Sequence, residues 1–221
     1  MGRIDEAIQH IEGIGDGTER ALQTAGLIST LFKIKGVALI VTGQLAFEIY
    51  ANAASDHPAV ELSLFSGQPA PRTVLDIMRG QLHAKGGLGR WTVAGIPVRL
   101  LGTAHVVYPD LCRDFTTDHG VVKLMPVEEV TVECILASIH PELDFEAQTR
   151  ARLLLINGLT EAFQMDWATL QTLCDQPDYR VGDDLAKMRM SAKKDVDAMS
   201  SAPDHVGQPG PVPTEPIRAE P

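Results

Sequence analysis

The 221-residue sequence contains few cysteines. Cys112, Cys134 and Cys174 lie far apart in the sequence, and an odd number at such spacings argues against a disulfide framework and against the cysteine pairs of zinc sites. We therefore expect reduced thiols and a cytoplasmic protein.

Long apolar runs and targeting signals are also missing from the sequence. No stretch approaches the roughly 18 apolar residues that a transmembrane helix needs. Residues 1–12 are charged and amphipathic, unlike the apolar centre of a secretory signal. The sequence therefore predicts no interaction with a membrane.

The sequence has no excess of positive charge. Its 19 Lys and Arg residues are outnumbered by 29 Asp and Glu residues, which gives a formal charge of −10. A net negative charge disfavours nucleic acid as a partner, so we expect a protein partner instead. Aromatic residues make up only 5% of the chain but hydrophobic residues make up 44%, enough for a core of aliphatic side chains.

The common catalytic and cofactor motifs are absent as well. The sequence has no P-loop, no G-x-G-x-x-G fingerprint and no G-x-S-x-G nucleophile elbow. No two histidines have the i, i+4 spacing of a metalloprotease helix. Because these motifs are absent, the sequence predicts neither a cofactor nor a resident metal from them.

Hydrophobic periodicity divides the chain into four parts. Residues 1–35 have the pattern of two helices, 36–125 that of an α/β core, and 126–199 that of further helices. Residues 200–221 are rich in proline and have too few apolar side chains to offset the entropy of ordering, so we expect a disordered tail. The fold class predicted is α+β, with a small mixed sheet of about four or five strands and flanking helices.

Two predicted strands organise the core. The continuous apolar run 37–41 is typical of a central strand buried on both faces. Residues 59–65 alternate, which places Val60, Leu62 and Leu64 on the core face and Glu61 with Ser63 on the other face. A helix over 74–82, a hairpin over 91–101 with Gly95-Ile96 as its loop, and a strand over 120–124 complete the predicted core.

The order strand, glycine turn, helix, strand resembles the minimal nucleotidyltransferase-like proteins of the polymerase-beta type. The resemblance rests on Ala38-Leu39-Ile40-Val41-Thr42-Gly43-Gln44-Leu45-Ala46. In that family, the backbone N–H groups of a Gly-Gly or Gly-Ser turn hold the nucleotide phosphates. The resemblance therefore implies Gly43, Gln44 and Ser55 as nucleotide-binding candidates, with Gln44 in place of the second small residue.

The sequence departs from that family where the metal ligands are expected. Active members carry Asp-x-Asp on the second strand, which holds Mg²⁺ against a nucleoside triphosphate. The corresponding positions here are Ala59 and Glu61, and Arg99 lies where a third carboxylate is often found. Asp56 and Glu61 are the remaining candidates for catalysis or metal binding, and a Lys common in the following helix is replaced by Cys134.

Each candidate also has a purely structural interpretation. Gly43 is needed wherever the chain turns sharply after a buried strand, and Asp56 suits a solvated turn. Glu61 on the polar face of its strand can form a salt bridge with Arg99 on a neighbouring strand. No metal site is predicted under this interpretation.

Three hypotheses for function follow from these patterns. The first is a catalytically degenerate nucleotidyltransferase-like protein that acts by binding a partner or a nucleotide. The second is an active transferase, of the toxin-antitoxin or modification type, that uses Asp56 and Glu61 with Mg²⁺ and a nucleoside triphosphate. The third is a structural subunit without a ligand.

Overall fold

The computed structural model of the protein describes residues 2–54 and 57–201. The helices are α1 (Arg3–Glu12), α2 (Gly17–Ile34), α3 (Gly43–Ala51), α4 (Pro71–Leu75), α5 (Val127–Ile139), α6 (Phe145–Leu159), α7 (Trp167–Cys174) and α8 (Gly182–Ser201). The strands are β1 (Ala38–Thr42), β2 (Val60–Ser66), β3 (Lys85–Gly87), β4 (Arg90–Val93), β5 (Ile96–Thr103), β6 (Arg113–Thr117) and β7 (Gly120–Leu124). Helix α4 continues directly into a π-helical segment, Asp76–Gln81.

The strands of the described residues form one mixed sheet in the order β3-β4-β5-β2-β1-β7-β6. Strand β1 is antiparallel to β2 and parallel to β7, and β2 is parallel to β5. The pairs β3–β4, β4–β5 and β6–β7 are antiparallel. The predicted α+β class with a mixed sheet is therefore confirmed, but the sheet has seven strands in the described residues and not four or five.

The two additional strands lie at the edges of the sheet. Residues 85–87 lie between the predicted helix and the predicted hairpin, and they pair with β4. Strand β6 pairs with β7, and its side chains are partly or fully exposed. Backbone hydrogen bonds to a neighbouring strand stabilise these short strands. Such bonds do not depend on side chains, so the sequence shows no apolar alternation there.

The predicted hairpin is present, with its loop shifted by one residue. Ala94 and Gly95 connect β4 to β5, and both have positive φ, +49° and +77°. Two consecutive residues in this conformation match the twist of the flanking strands. Ile96 is thereby released to the strand, where it is buried.

The predicted register of the first two strands is confirmed in its main feature. Val60 and Leu62 of β2 are buried, as is Ile40 of β1, whereas Glu61 remains partly exposed. Ser63, expected on the polar face, is also buried, and Leu64 is only partly buried. The pairing of β2 with β5 shifts register between Leu62 and Leu64, so the strict alternation ends there.

The helices surround the sheet in two groups. Helix α2 contacts strands on both sides of β1, and α1 packs on α2. Helix α3 contacts β1 and β2, and also α5 and α6 of the C-terminal group. The connection from β1 through α3 therefore lies where the sheet meets the C-terminal helices.

Some predictions concern parts of the chain outside the description. Ser55, Asp56 and the tail from 202 to 221 lie outside the described residues. The boundaries between the four predicted parts of the chain remain predictions. Across residues 2–54 and 57–201, no helix combines the length and apolar character needed to cross a membrane.

The register of β2 can be tested by truncating Leu62, which is 1% exposed. Leu62→Ala should lower the free energy of unfolding by about 2–5 kcal/mol, because it leaves a cavity beside the central strand. Leu143→Ala, at a side chain that is 73% exposed, is the matched control and should change it by less than about 0.5 kcal/mol. Equal effects in chemical denaturation would show that the assigned register is wrong.

Candidate functional site

The turn from β1 into α3 forms one side of the candidate site. Thr42 precedes the helix without a side-chain hydrogen bond to its first turn, and Gly43 begins it with φ of +62°. The first backbone N–H groups of a helix have no partner within the helix and carry partial positive charge. This turn therefore attracts negative charge.

Glu61 provides that negative charge. It lies on β2 opposite Thr42 of β1 on one side and opposite Arg99 of β5 on the other. Its Oε1 accepts a hydrogen bond from Arg99 Nη1 at 2.6 Å. The proposed salt bridge between the two residues is thus confirmed.

The second oxygen of the Glu61 carboxylate lies against Gly43. A Cβ atom added to Gly43 would be 2.0 Å from Glu61 Oε2 and 3.0 Å from Glu61 Cδ. The carboxylate therefore contacts the backbone of the turn directly. Glycine suits position 43 because it adopts positive φ at little cost and leaves room for the carboxylate.

A row of polar residues crosses the sheet at this level. Thr42, Glu61, Arg99 and Arg90 are successive neighbours on β1, β2, β5 and β4. Glu61 exposes 21% of its side chain and Arg99 exposes 52%. An ion pair this accessible contributes at most about 1 kcal/mol to stability, so its importance lies in positioning the carboxylate.

A cleft of about 320 Å³ opens beside Glu61. It is bounded by α3, β2, α5 and α6. Its lining residues are Gly43, Gln44, Phe47, Glu61, Val130, Glu133, Cys134, Ala137, Ala147 and Arg150. The cleft thus combines an apolar floor with two carboxylates and one guanidinium group.

Glu133 is the second carboxylate of this cleft. Burial by the surrounding walls, with the negative charges of Glu129 and Glu61, raises its pKa from 4.5 to about 7. Part of the side chain is exposed to water in the cleft. Glu133 therefore remains partly protonated near neutral pH, unlike an ordinary surface glutamate.

Two other side chains of the cleft, Gln44 and Arg150, make polar contacts within the protein. Gln44 Nε2 donates to Glu48 Oε1 at 2.6 Å, so the amide group is directed along α3. Arg150 forms an ion pair with Glu146 and lies over the Phe47 ring, 5.8 Å from its centroid. Burial, followed by the charge of Glu133, raises the pKa of Cys134 to about 11, so this thiol is protonated near neutral pH and is a poor nucleophile.

The structure brings together only some of the residues predicted for the site. Gly43, Gln44 and Glu61 lie in one cleft, while Ser55 and Asp56 lie outside the described residues. Ala59 supplies no ligand atom, and within the described ranges no group of three or more His, Cys, Asp or Glu side chains is arranged to hold a metal ion. The described residues therefore do not fit the two-metal site that the family resemblance implies.

Glu133 was missed because its position depends on how α5 packs. The sequence feature that could have indicated Glu133 is its position, one helical turn after Glu129 in an otherwise apolar helix. Glu128 and Glu129 are buried and accept backbone hydrogen bonds, from Asp166 N–H and from the N–H groups of Val107 and Tyr108. Of these three carboxylates, only Glu133 lines the cleft.

Two solved structures are similar to this chain at low sequence identity. No protein-family model matches the chain, and no curated protein matches it significantly. An antigenic nucleotidyltransferase-like protein from Paracoccidioides brasiliensis is similar in structure, with a TM-score of 0.44 and 10% identity over 74% of this chain and 90% of that chain. The antibiotic-resistance factor ANT(2'')-Ia has a TM-score of 0.42 and 10% identity over 78% of this chain and 91% of that chain.

The contact between Gly43 and Glu61 can be tested against a matched glycine. Gly36 also has positive φ, +75°, but a Cβ there would meet no atom within 4 Å. Gly36→Ala should therefore cost only the backbone strain, about 1–2 kcal/mol, and Gly43→Ala should cost up to about 1 kcal/mol more, because the Glu61 carboxylate must turn away from Arg99.

Denaturation of the variants in a Glu61→Ala background completes this test. Without the carboxylate, Gly43→Ala should cost no more than Gly36→Ala, because the side chain that it displaces is gone. An unchanged penalty at position 43 in that background would contradict the assigned contact.

The protonation of Glu133 can be followed by its effect on stability. Between pH 4.5 and about 7 the folded protein retains a proton that the unfolded chain has lost, so Glu133 increasingly favours unfolding over that range. The free energy of unfolding of Glu133→Gln, relative to that of wild type, should therefore increase as the pH rises from 4.5 to about 7. Above that range the difference should stay constant. Carbon NMR of the Glu133 carboxyl should give a midpoint well above 4.5, and an ordinary midpoint with a pH-independent stability difference would refute this assignment.

Proposed function

We propose that this protein is a nucleotidyltransferase-like protein that no longer transfers nucleotides and acts by binding a protein partner. The single observation that carries the proposal is the position of the Glu61 carboxylate. It contacts Gly43 at the start of α3 and is paired with Arg99. The turn that the family resemblance assigns to nucleotide phosphates is thus covered by an anionic group of the chain itself.

Electrostatics supports the loss of transfer. A triphosphate carries several negative charges, and the cleft presents Glu61 and Glu133 to it. Divalent cations would normally screen such repulsion, but they require carboxylates that are free to coordinate them. Here Ala59 replaces one ligand, and Arg99 is paired with the other.

Exposed apolar side chains support the choice of a protein partner. Leu143, just before α6, and Phe145, its first residue, are 73% and 75% exposed. Exposed apolar side chains that are close in the chain are typical of protein-binding surfaces. A partner with apolar side chains fits them better than a nucleotide does.

Incubation with radiolabelled nucleoside triphosphates tests the proposal. With Mg²⁺ or Mn²⁺ and a broad acceptor extract, the wild-type chain should label no acceptor above the level of a Glu61→Ala control, since Ala59 supplies no carboxylate and Glu61 is paired with Arg99. Asp114→Ala serves as a matched variant, because Asp114 is an exposed carboxylate of β6 that pairs with Lys123 away from the cleft.

Labelling that disappears in both Asp56→Ala and Glu61→Ala, but persists in Asp114→Ala, would overturn the proposal. The active transferase would then replace it. Labelling that persists in all of these variants would indicate a contaminating activity. The assay repeated on protein purified through a second step must then show no transfer, as the proposal requires.

A further inference from the structure

Two histidines from distant parts of the sequence meet at the surface, away from the cleft. His10 lies in the last turn of α1, and His119 lies in the turn between β6 and β7. Their rings share a hydrogen bond, with His10 Nδ1 and His119 Nε2 3.1 Å apart. We propose that this pair is a binding site for a divalent transition-metal ion, such as Zn²⁺ or Ni²⁺, that fastens α1 to the β6–β7 turn.

The distance between the two nitrogens fits shared coordination. Zinc–nitrogen bonds measure about 2.0–2.1 Å, so two imidazole ligands on one ion have nitrogens about 2.9 Å apart at a right angle and about 3.4 Å apart at the tetrahedral angle. The observed 3.1 Å lies between these values. The two rings are inclined at 71° and lie at the surface. When the donor ring changes tautomer, its proton moves to its other nitrogen, and both facing nitrogens then offer a lone pair to one ion.

The backbone on both sides of the pair is held in place. Thr30 Oγ1 donates to the His119 carbonyl at 2.9 Å, and Asp118 N–H donates to Gln23 Oε1 at 3.1 Å, so α2 anchors the turn. On the other side Ile11, next to His10, is completely buried. The ligands are therefore preorganised, and the cost of bringing them together is met by folding.

The chemistry of the pair selects the class of metal. Imidazole nitrogen prefers zinc, nickel and copper ions over magnesium or calcium. A metal binds the neutral form of the imidazole ring. No third His, Cys, Asp or Glu joins the pair within residues 2–54 and 57–201, so water completes the coordination and the site remains open.

Metal binding would strengthen the attachment of α1 to the rest of the protein. Apart from its apolar face, this helix is held by a second polar contact, between Asp5 Oδ1 and His83 Nε2 at 3.1 Å. A metal ion shared by His10 and His119 would add a further link between α1 and the sheet. A ligand that binds only the folded protein raises its melting temperature.

Thermal unfolding of the full, untagged chain with an excess of Ni²⁺ or Zn²⁺ tests the proposal. The melting temperature of the wild-type protein should rise by at least about 2 °C, and Mg²⁺ should have no such effect. His10→Ala and His119→Ala should each abolish the rise. His83→Gln is the matched control, because it alters the other histidine contact of α1 but should leave the rise intact.

Calorimetric titration with Ni²⁺ gives a second readout. The wild-type chain should bind one ion that both His10→Ala and His119→Ala lose, whereas sites at cysteines or other histidines would persist in both variants. If either variant is too unstable, His10→Asn or His119→Gln replaces it. No rise in wild type, or a rise that survives in both histidine variants, overturns the proposal.

Discussion

The position of one carboxylate, that of Glu61, makes the cleft of this protein negatively charged at the first turn of α3. Glu61 is held between Arg99, which fixes one oxygen, and Gly43, whose missing side chain leaves room for the other. Both constraints come from the order of strands, since β2 lies between β1 and β5. The sheet thereby places an anionic group at the N-terminus of α3, where an external anion would otherwise be attracted.

The C-terminal helices add a second carboxylate, Glu133, to the cleft. Helix α5 uses Glu128 and Glu129 to accept backbone hydrogen bonds from distant segments, and it presents Glu133 to the cleft. Burial raises the pKa of Glu133, and the charge of Glu61 raises it further. The cleft is therefore acidic on two sides, and its negative charge near neutral pH depends on the proton at Glu133.

The sequence predicted those parts of the fold that side-chain pattern determines. The apolar run of β1, the alternation that buries Val60 and Leu62, and the pairing of Glu61 with Arg99 all follow from periodicity and from strand neighbours. Edge strand β3 could not be predicted, because backbone hydrogen bonds and not side chains hold its glycines in the sheet. Glu133 and the pair His10–His119 depend on packing between segments far apart in the chain, and no local pattern encodes such packing.

The account depends most directly on whether the first turn of α3 is closed to phosphate. Nitrogen–proton NMR of the Gly43 and Gln44 amides during titration with Mg²⁺ and each nucleoside triphosphate measures this. The account predicts no saturable shift of either amide in the wild-type protein, because the Glu61 carboxylate already covers the turn. A saturable shift of both amides in the wild-type protein would contradict it and would show that a nucleotide displaces Glu61 from Gly43.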